Sequence, residues 1–129
     1  MRVPNSPRVL TLHIQTDMMR RKPIRWLGDS LNRVREFPQD ARRAAGTELR
    51  HVQQGEPPAD WKPMPDVGPG VNEIRVHAGR EYRVLYVAKF AETVYVLHAF
   101  VKKTRRTPKS DIDLASKRYR QLMAERRAR

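Results

Sequence analysis

Apolar and polar positions change period several times along this chain, and each change marks an element. A short apolar run at residues 22–27 reads as a strand, and Gly28-Asp29-Ser30 follows with oxygens suited to capping a helix start. Leu31, Val34 and Phe37 then fall on one face of a short helix, which Pro38 ends because proline is tolerated only in a first turn. A second helix over residues 39–54 carries Ala41, Ala44, Ala45, Leu49 and Val52 as an apolar stripe and closes at Gly55, completing a helical hairpin. Prolines at 57, 58, 63, 65 and 69 oppose regular structure, so residues 56–70 are expected to form a long loop.

Strict alternation takes over beyond Gly70. In residues 71–77, Ile74 and Val76 share one face while Glu73, Arg75 and His77 share the other. Ala78-Gly79 turns into a strand at 80–90 and Ala91-Glu92 into one at 93–101, an antiparallel meander. Thr107-Pro108 then offers an N-cap and a first helical residue, with Ile112, Ala115, Tyr119 and Leu122 at helical spacing behind it. The order predicts an α+β fold, with the hairpin packed on a twisted, mainly antiparallel sheet and a basic helix at the C-terminus. Residues 22–126 are expected to form a single domain. Residues 1–21 read as an extension, either an ordinary mobile one or an artefact of a translation start placed upstream of Met18 and Met19. Activity is expected to survive deletion of residues 1–18.

Charge narrows the function. The 129 residues include 27 Lys and Arg against 14 Asp and Glu, a formal charge of +13, which favours polyanionic partners through counterion release. The excess is concentrated after Val101, where 11 basic residues face 3 acidic ones. With no cysteine, thiolate catalysis and cysteine-ligated zinc are excluded, and the cytoplasm is the default location. No apolar run is long enough to span a bilayer, so no membrane partner is expected. The histidines at 13, 51, 77 and 98 lack ligand-like spacing, and Gly68-Pro69-Gly70 lacks the lysine and hydroxyl of a nucleotide loop, so neither metal nor cofactor is expected.

Several strings, in this order, resemble the RelE/ParE superfamily of toxins, and in particular its phage-derived, HigB-like branch. They are Lys22-Pro23-Ile24-Arg25-Trp26-Leu27-Gly28, Arg35-Glu36-Phe37-Pro38, Lys62-Pro63-Met64, Glu73-Ile74-Arg75, Tyr82-Arg83-Val84-Leu85-Tyr86, and the run from Val94 to Lys103. The resemblance implies the toxin of a type II toxin–antitoxin system, a ribosome-dependent endoribonuclease (an mRNA interferase) neutralised by a cognate antitoxin, expected to be a small helix-turn-helix protein encoded beside it. The superfamily also contains ParE-like inhibitors of DNA gyrase, and a non-catalytic nucleic-acid-binding phage protein is a further alternative, so fold alone does not choose.

Cleavage by a 2′-hydroxyl needs a proton acceptor, a donor for the leaving oxygen and positive charge for the developing dianion, and no metal. By position the resemblance implies catalytic roles for Arg75, Arg83 and Lys103. Glu73 stands where the best-known members carry a lysine, which leaves the proton acceptor open. His98 is one replacement, although its parity with Val94, Val96 and Phe100 suits a core residue equally. Glu73 is another, or else an ion-pair partner of Arg75 or Arg83. Tyr86, with Tyr82, either stacks a base or fills the core, and it should lie opposite Arg83 unless a bulge intervenes. Lys62, Lys102, Arg105, Arg106, Arg118 and Arg120 are candidate RNA contacts; the bland reading of each is a solvated surface.

Overall fold

The computed structural model describes residues 21–129, so the apolar stretch at 9–14 and the methionines at 18 and 19 lie outside the described residues. Strand β1 (Ile24–Trp26) leads into helices α1 (Ser30–Arg35) and α2 (Gln39–Gln53). Four strands follow, β2 (Trp61–Pro63), β3 (Val71–Ala78), β4 (Arg80–Val87) and β5 (Val94–Lys102), and helix α3 (Lys109–Arg127) closes the chain. The strands form one sheet in the order β1-β5-β4-β3-β2, with β1 parallel to β5 and every other pair antiparallel. The fold is therefore α+β, as the element order predicts. No helix among the described residues is long and apolar enough to cross a membrane.

Both faces of the sheet are covered. The apolar stripe of the hairpin (Val34, Phe37, Ala41, Ala45, Leu49, Val52) packs on Ile74, Val76, Tyr82, Val84 and Val96. The opposite face, with Leu85, Val87, Tyr95, Leu97 and Phe100, receives Ala115, Tyr119 and Leu122 of α3. Period-2 alternation in the strands thus serves two cores rather than one core and solvent, and the central strands are almost wholly buried.

Three local expectations change. Residues 56–70 contain a strand: Asp60 accepts from the Arg75 amide at 2.9 Å and the Met64 amide donates to Val71 at 2.8 Å, bracketing β2 against β3. Trp61 and Pro63 then turn their backbone groups to the open edge, where a residue without N–H is tolerated. The caps also differ. Neither Asp29 nor Thr107 caps a helix; Asp29 is bound by Arg33 and Arg118, and the Thr107 hydroxyl points to Glu73 at 3.5 Å. Finally, β5 carries a bulge. Leu85 faces His98 and Tyr86 faces Val96, so Leu97 has no partner opposite it. His98 is a core residue, as its parity suggested, but the bulge parts it from Val94 and Val96, which face the hairpin: it stacks on Phe100 at 5.3 Å and bonds Asp111 of α3 at 2.7 Å.

Two polar ties fix the periphery. Arg118 on α3 donates to the Leu97 carbonyl at 2.8 Å and to Asp29 at 2.7 Å, joining helix, bulge and the β1–α1 turn. The Arg118 and Arg33 guanidiniums hold Asp29 down at about 2. Gly28 has φ +55°, which favours glycine, and a Cβ there would press on the Arg118 guanidinium that makes this tie. At the other end, His77 sits between Asp60 at 2.7 Å and Glu81 at 2.8 Å, clipping the segment before β2 to the β3–β4 hairpin.

Arg118→Ala should lower stability by about 1.5–3 kcal/mol, the usual worth of hydrogen bonds to a charged group, while exposed Arg120→Ala stays within about 0.5 kcal/mol. Urea unfolding midpoints at constant m-value check this; equal midpoints would show that the tie is idle. The imidazoles should titrate in opposite directions from the ordinary value of about 6.5. Asp60 and Glu81 raise His77, so its stabilisation is full below that value and fades as pH rises through the raised one. Burial lowers His98 against the pull of Asp111, so its contribution is present above the ordinary value and fades as pH falls. An NMR titration giving the reverse order would contradict these placements.

Candidate basic cleft

The β3 alternation that buries Ile74 and Val76 under the hairpin turns Glu73 and Arg75 toward the other face, beside the segment that joins β5 to α3. There the sheet edge, the loop after β2 and residues 104–109 enclose an open cleft of about 830 Å³. Six basic side chains line it, Lys62, Arg75, Lys102, Arg105, Arg106 and Lys109, against Asp66 and Glu73. Met64, Ile112 and prolines 63, 65 and 108 supply its apolar surface. A groove of one charge sign with partly apolar walls concentrates an anionic ligand.

Glu73 lies at the bottom, 1% exposed. Its Oε1 accepts from Arg75 Nε at 3.4 Å and lies 3.6 Å from Arg83 Nε, while Thr107 approaches Oε2. Arg83 is buried behind it. One of its terminal nitrogens donates to Glu81 at 3.1 Å and to the Tyr82 carbonyl at 3.0 Å, and its Nε has no hydrogen bond. A buried carboxylate is tolerable only when paired, and here two guanidiniums approach the same oxygen. Only one of the two is free to reach outward: the Arg75 side chain is 32% exposed and the Arg83 side chain 6%.

The cleft thus gathers Lys62, Glu73, Arg75, Lys102, Arg105 and Arg106 from the residues singled out in the sequence. Six others fall elsewhere, the first being Arg83, buried behind Glu73 and not on the cleft wall. His98 is fully buried, its Nε2–H donating to Asp111 and its Nδ1 without a partner, and burial keeps the ring neutral. Tyr86 is core: it lies on the hairpin face, opposite to Arg83, and burial pushes its hydroxyl up to about 12. The bulge is on β5 rather than β4, so the expectation that Arg83 and Tyr86 face apart stands. Arg118 is committed to Leu97 and Asp29 and is not a free RNA contact, whereas Arg120 is exposed on α3. Lys103 is exposed just past the end of β5 and does not line the cleft.

Sequence reasoning gave Thr107 a capping role only and passed over Lys109 and Asp111. Their signal was present, since the helix start at Pro108 places them in or just before the first turn, but the strand partners they meet become apparent only once α3 is docked. Among the described residues no group of three His, Asp or Glu is placed to hold a metal ion.

No curated protein matches the chain. A model of the family described as phage-derived Gp49-like proteins (DUF891) matches residues 32–120, a stretch that runs from α1 through most of α3 and includes every wall of the cleft. The chain belongs to the phage-derived Gp49-like family.

Proposed function

We propose that this chain is the toxin of a type II toxin–antitoxin pair of the RelE/ParE superfamily and its HigB-like branch. On this reading it cuts mRNA on the ribosome, in the cytoplasm, and is neutralised by a small antitoxin encoded beside it. The observation that carries the reading is the cleft, in which six cations surround a carboxylate sunk between two arginines. Membership of the phage-derived family and the ordered strings of the sequence agree with it.

The chemistry divides among the residues by their reach. The 2′-oxygen gives its proton to solvent as it bonds to the adjacent phosphorus, the P–O5′ bond breaks to leave a cyclic 2′,3′-phosphate, and the departing 5′-oxygen takes a proton from solvent. Arg75, the arginine of the buried pair that reaches the cleft, lies against the phosphate and meets the developing dianion. Glu73 holds that guanidinium in orientation. Arg83 acts through Glu73 and is a positioning residue. Lys62, Lys102, Arg105 and Arg106 capture the strand, with Lys103 and Arg120 as outlying ribosomal RNA contacts. His98 anchors α3 through Asp111 and takes no part in proton transfer.

Induction followed by mapping of transcript ends should show cuts confined to translated messages. Intact messages with inhibited supercoiling would favour gyrase poisoning, and intact messages with intact DNA would favour a non-catalytic binder. Arg75→Ala should slow cleavage about 100- to 1,000-fold at saturating ribosome while the melting temperature stays close to wild type. Arg83→Ala should instead destabilise the fold by about 3–5 kcal/mol, because Glu73 loses its fully buried partner. An Arg83→Ala protein that melts like wild type yet is inactive would place Arg83 on the substrate and contradict its role here.

A further inference from the structure

Trp61 is the exposed large hydrophobic side chain of the described residues, 41% accessible on an edge strand. It pairs with Ile74, whose side chain lies under the hairpin, whereas its neighbour Lys62 pairs with Glu73 and lines the cleft. Adjacent residues of β2 therefore address opposite sides of one sheet edge. On the Trp61 side lies a second pocket of about 310 Å³, walled by Trp61, Asn72, Tyr86 and the turn at Gly55 to Pro58 that follows α2.

The chemistry of this pocket differs from that of the cleft. Its charged side chains are one base and one acid, Lys22 and Glu56, and the Lys22 ammonium is already committed to the Ala88 and Phe90 carbonyls at 2.7 and 2.9 Å. It therefore suits a neutral flat group, not a phosphate. The indole offers a stacking face, the half-buried Asn72 amide offers a donor and an acceptor, and the Tyr86 hydroxyl stands beside that amide. A peptide strand is a poor occupant, because β2 is only three residues long and Pro63 presents no N–H to the open edge. Unpaired bases stack on aromatic side chains irrespective of sequence, and base edges are read by amides.

The geometry points to Trp61, Asn72 and Tyr86 as a nucleobase subsite, which receives one unpaired base of an RNA strand whose phosphates lie along Lys62 and the cleft cations across β2. This rests on the reading of the cleft as an RNA site. Phosphates are held on one side of the edge strand and a base is held on the other, so the strand crosses the edge at Lys62. Tyr86 contributes here as a wall of the pocket, from within the core.

A labelled, 2′-O-methylated RNA octamer, which cannot be cut by 2′-hydroxyl attack, serves as the probe, with affinity for the full chain read by fluorescence anisotropy at several salt concentrations. Trp61→Ala should weaken binding roughly 5- to 150-fold, the range expected for loss of one base stack, without changing the slope of log K against log salt. Trp61→Phe should recover most of the affinity, and Asn72→Ala should weaken binding with the slope again unchanged. Lys62→Ala, by contrast, should lower the slope by about 0.7. Equal binding by wild type and Trp61→Ala would overturn the subsite while leaving the cleft reading intact. A reduced slope in Trp61→Ala would also overturn it, by showing that Trp61 acts through the phosphates. Absence of octamer binding by the wild-type chain would count against the RNA reading itself and the subsite with it. If Trp61→Ala abolishes neutralisation by an antitoxin while RNA affinity is unchanged, the surface is a protein anchor and the proposal fails.

Discussion

A carboxylate buried in the middle of a strand is the constraint around which this molecule is arranged. Glu73, 1% exposed on β3, would be untenable as an isolated charge, since desolvation of an unpaired ion costs several kcal/mol even after relaxation. Arg83 from β4 and Arg75 from its own strand approach the same oxygen, and Thr107 from the segment before α3 approaches the other. Three separate parts of the chain thereby meet at one side chain. Arg83 extends the network to Glu81, Glu81 to His77, and His77 to Asp60 at the start of the β2 edge. A continuous polar line thus runs from the cleft floor to the sheet margin.

That line explains the shape of the cleft. Because Arg83 supplies the buried partner, Arg75 remains half-buried and able to face a ligand, so one ion pair both satisfies the carboxylate and presents a fixed cation. Lys109, at the start of α3, adds charge without such fixation: it is 88% exposed and tied to Asp113 one turn on. The cleft thus sets one cation held by a buried carboxylate among others that lack such a partner, as expected if transition-state stabilisation and electrostatic capture are different tasks. The bulge at Leu97 contributes indirectly. By turning His98 to the α3 face it lets Asp111 dock the first turn of the helix, and it presents the Leu97 carbonyl to Arg118, outside the cleft.

Most of the fold was legible in the sequence because it depends on local periodicity. The stripe from Ala41 to Val52, the alternation about Ile74, and the turn at Gly79, with φ +80°, each declare an element without reference to the rest of the chain. The features that were not legible are non-local. Pro63 in a strand is admissible only because β2 is an edge, and edges are set by strand order. The displacement of His98 required a one-residue insertion in β5 relative to β4, which neither strand reveals alone. Arg118 reads in sequence as one more basic residue of a basic helix; its structural role comes from the approach of Asp29, far away along the chain. Resemblance picked out Lys62 and Arg75, and the charge run picked out Lys102, Arg105 and Arg106; that all five share one cleft was not legible, since they come from three strands and a loop.

On the proposed reading the face bearing Glu73 and Arg75 addresses messenger RNA, and the hairpin surface with exposed Arg35, Arg42, Arg43 and Arg50 does not. Site-specific photocrosslinking tests it most directly, with the crosslinker placed at position 62 in the cleft or at position 43 on α2 and the protein bound to translating ribosomes. mRNA crosslinks are expected from position 62 and none from position 43. Crosslinks to mRNA from position 43 alone, or from neither position while gyrase is captured, would contradict it.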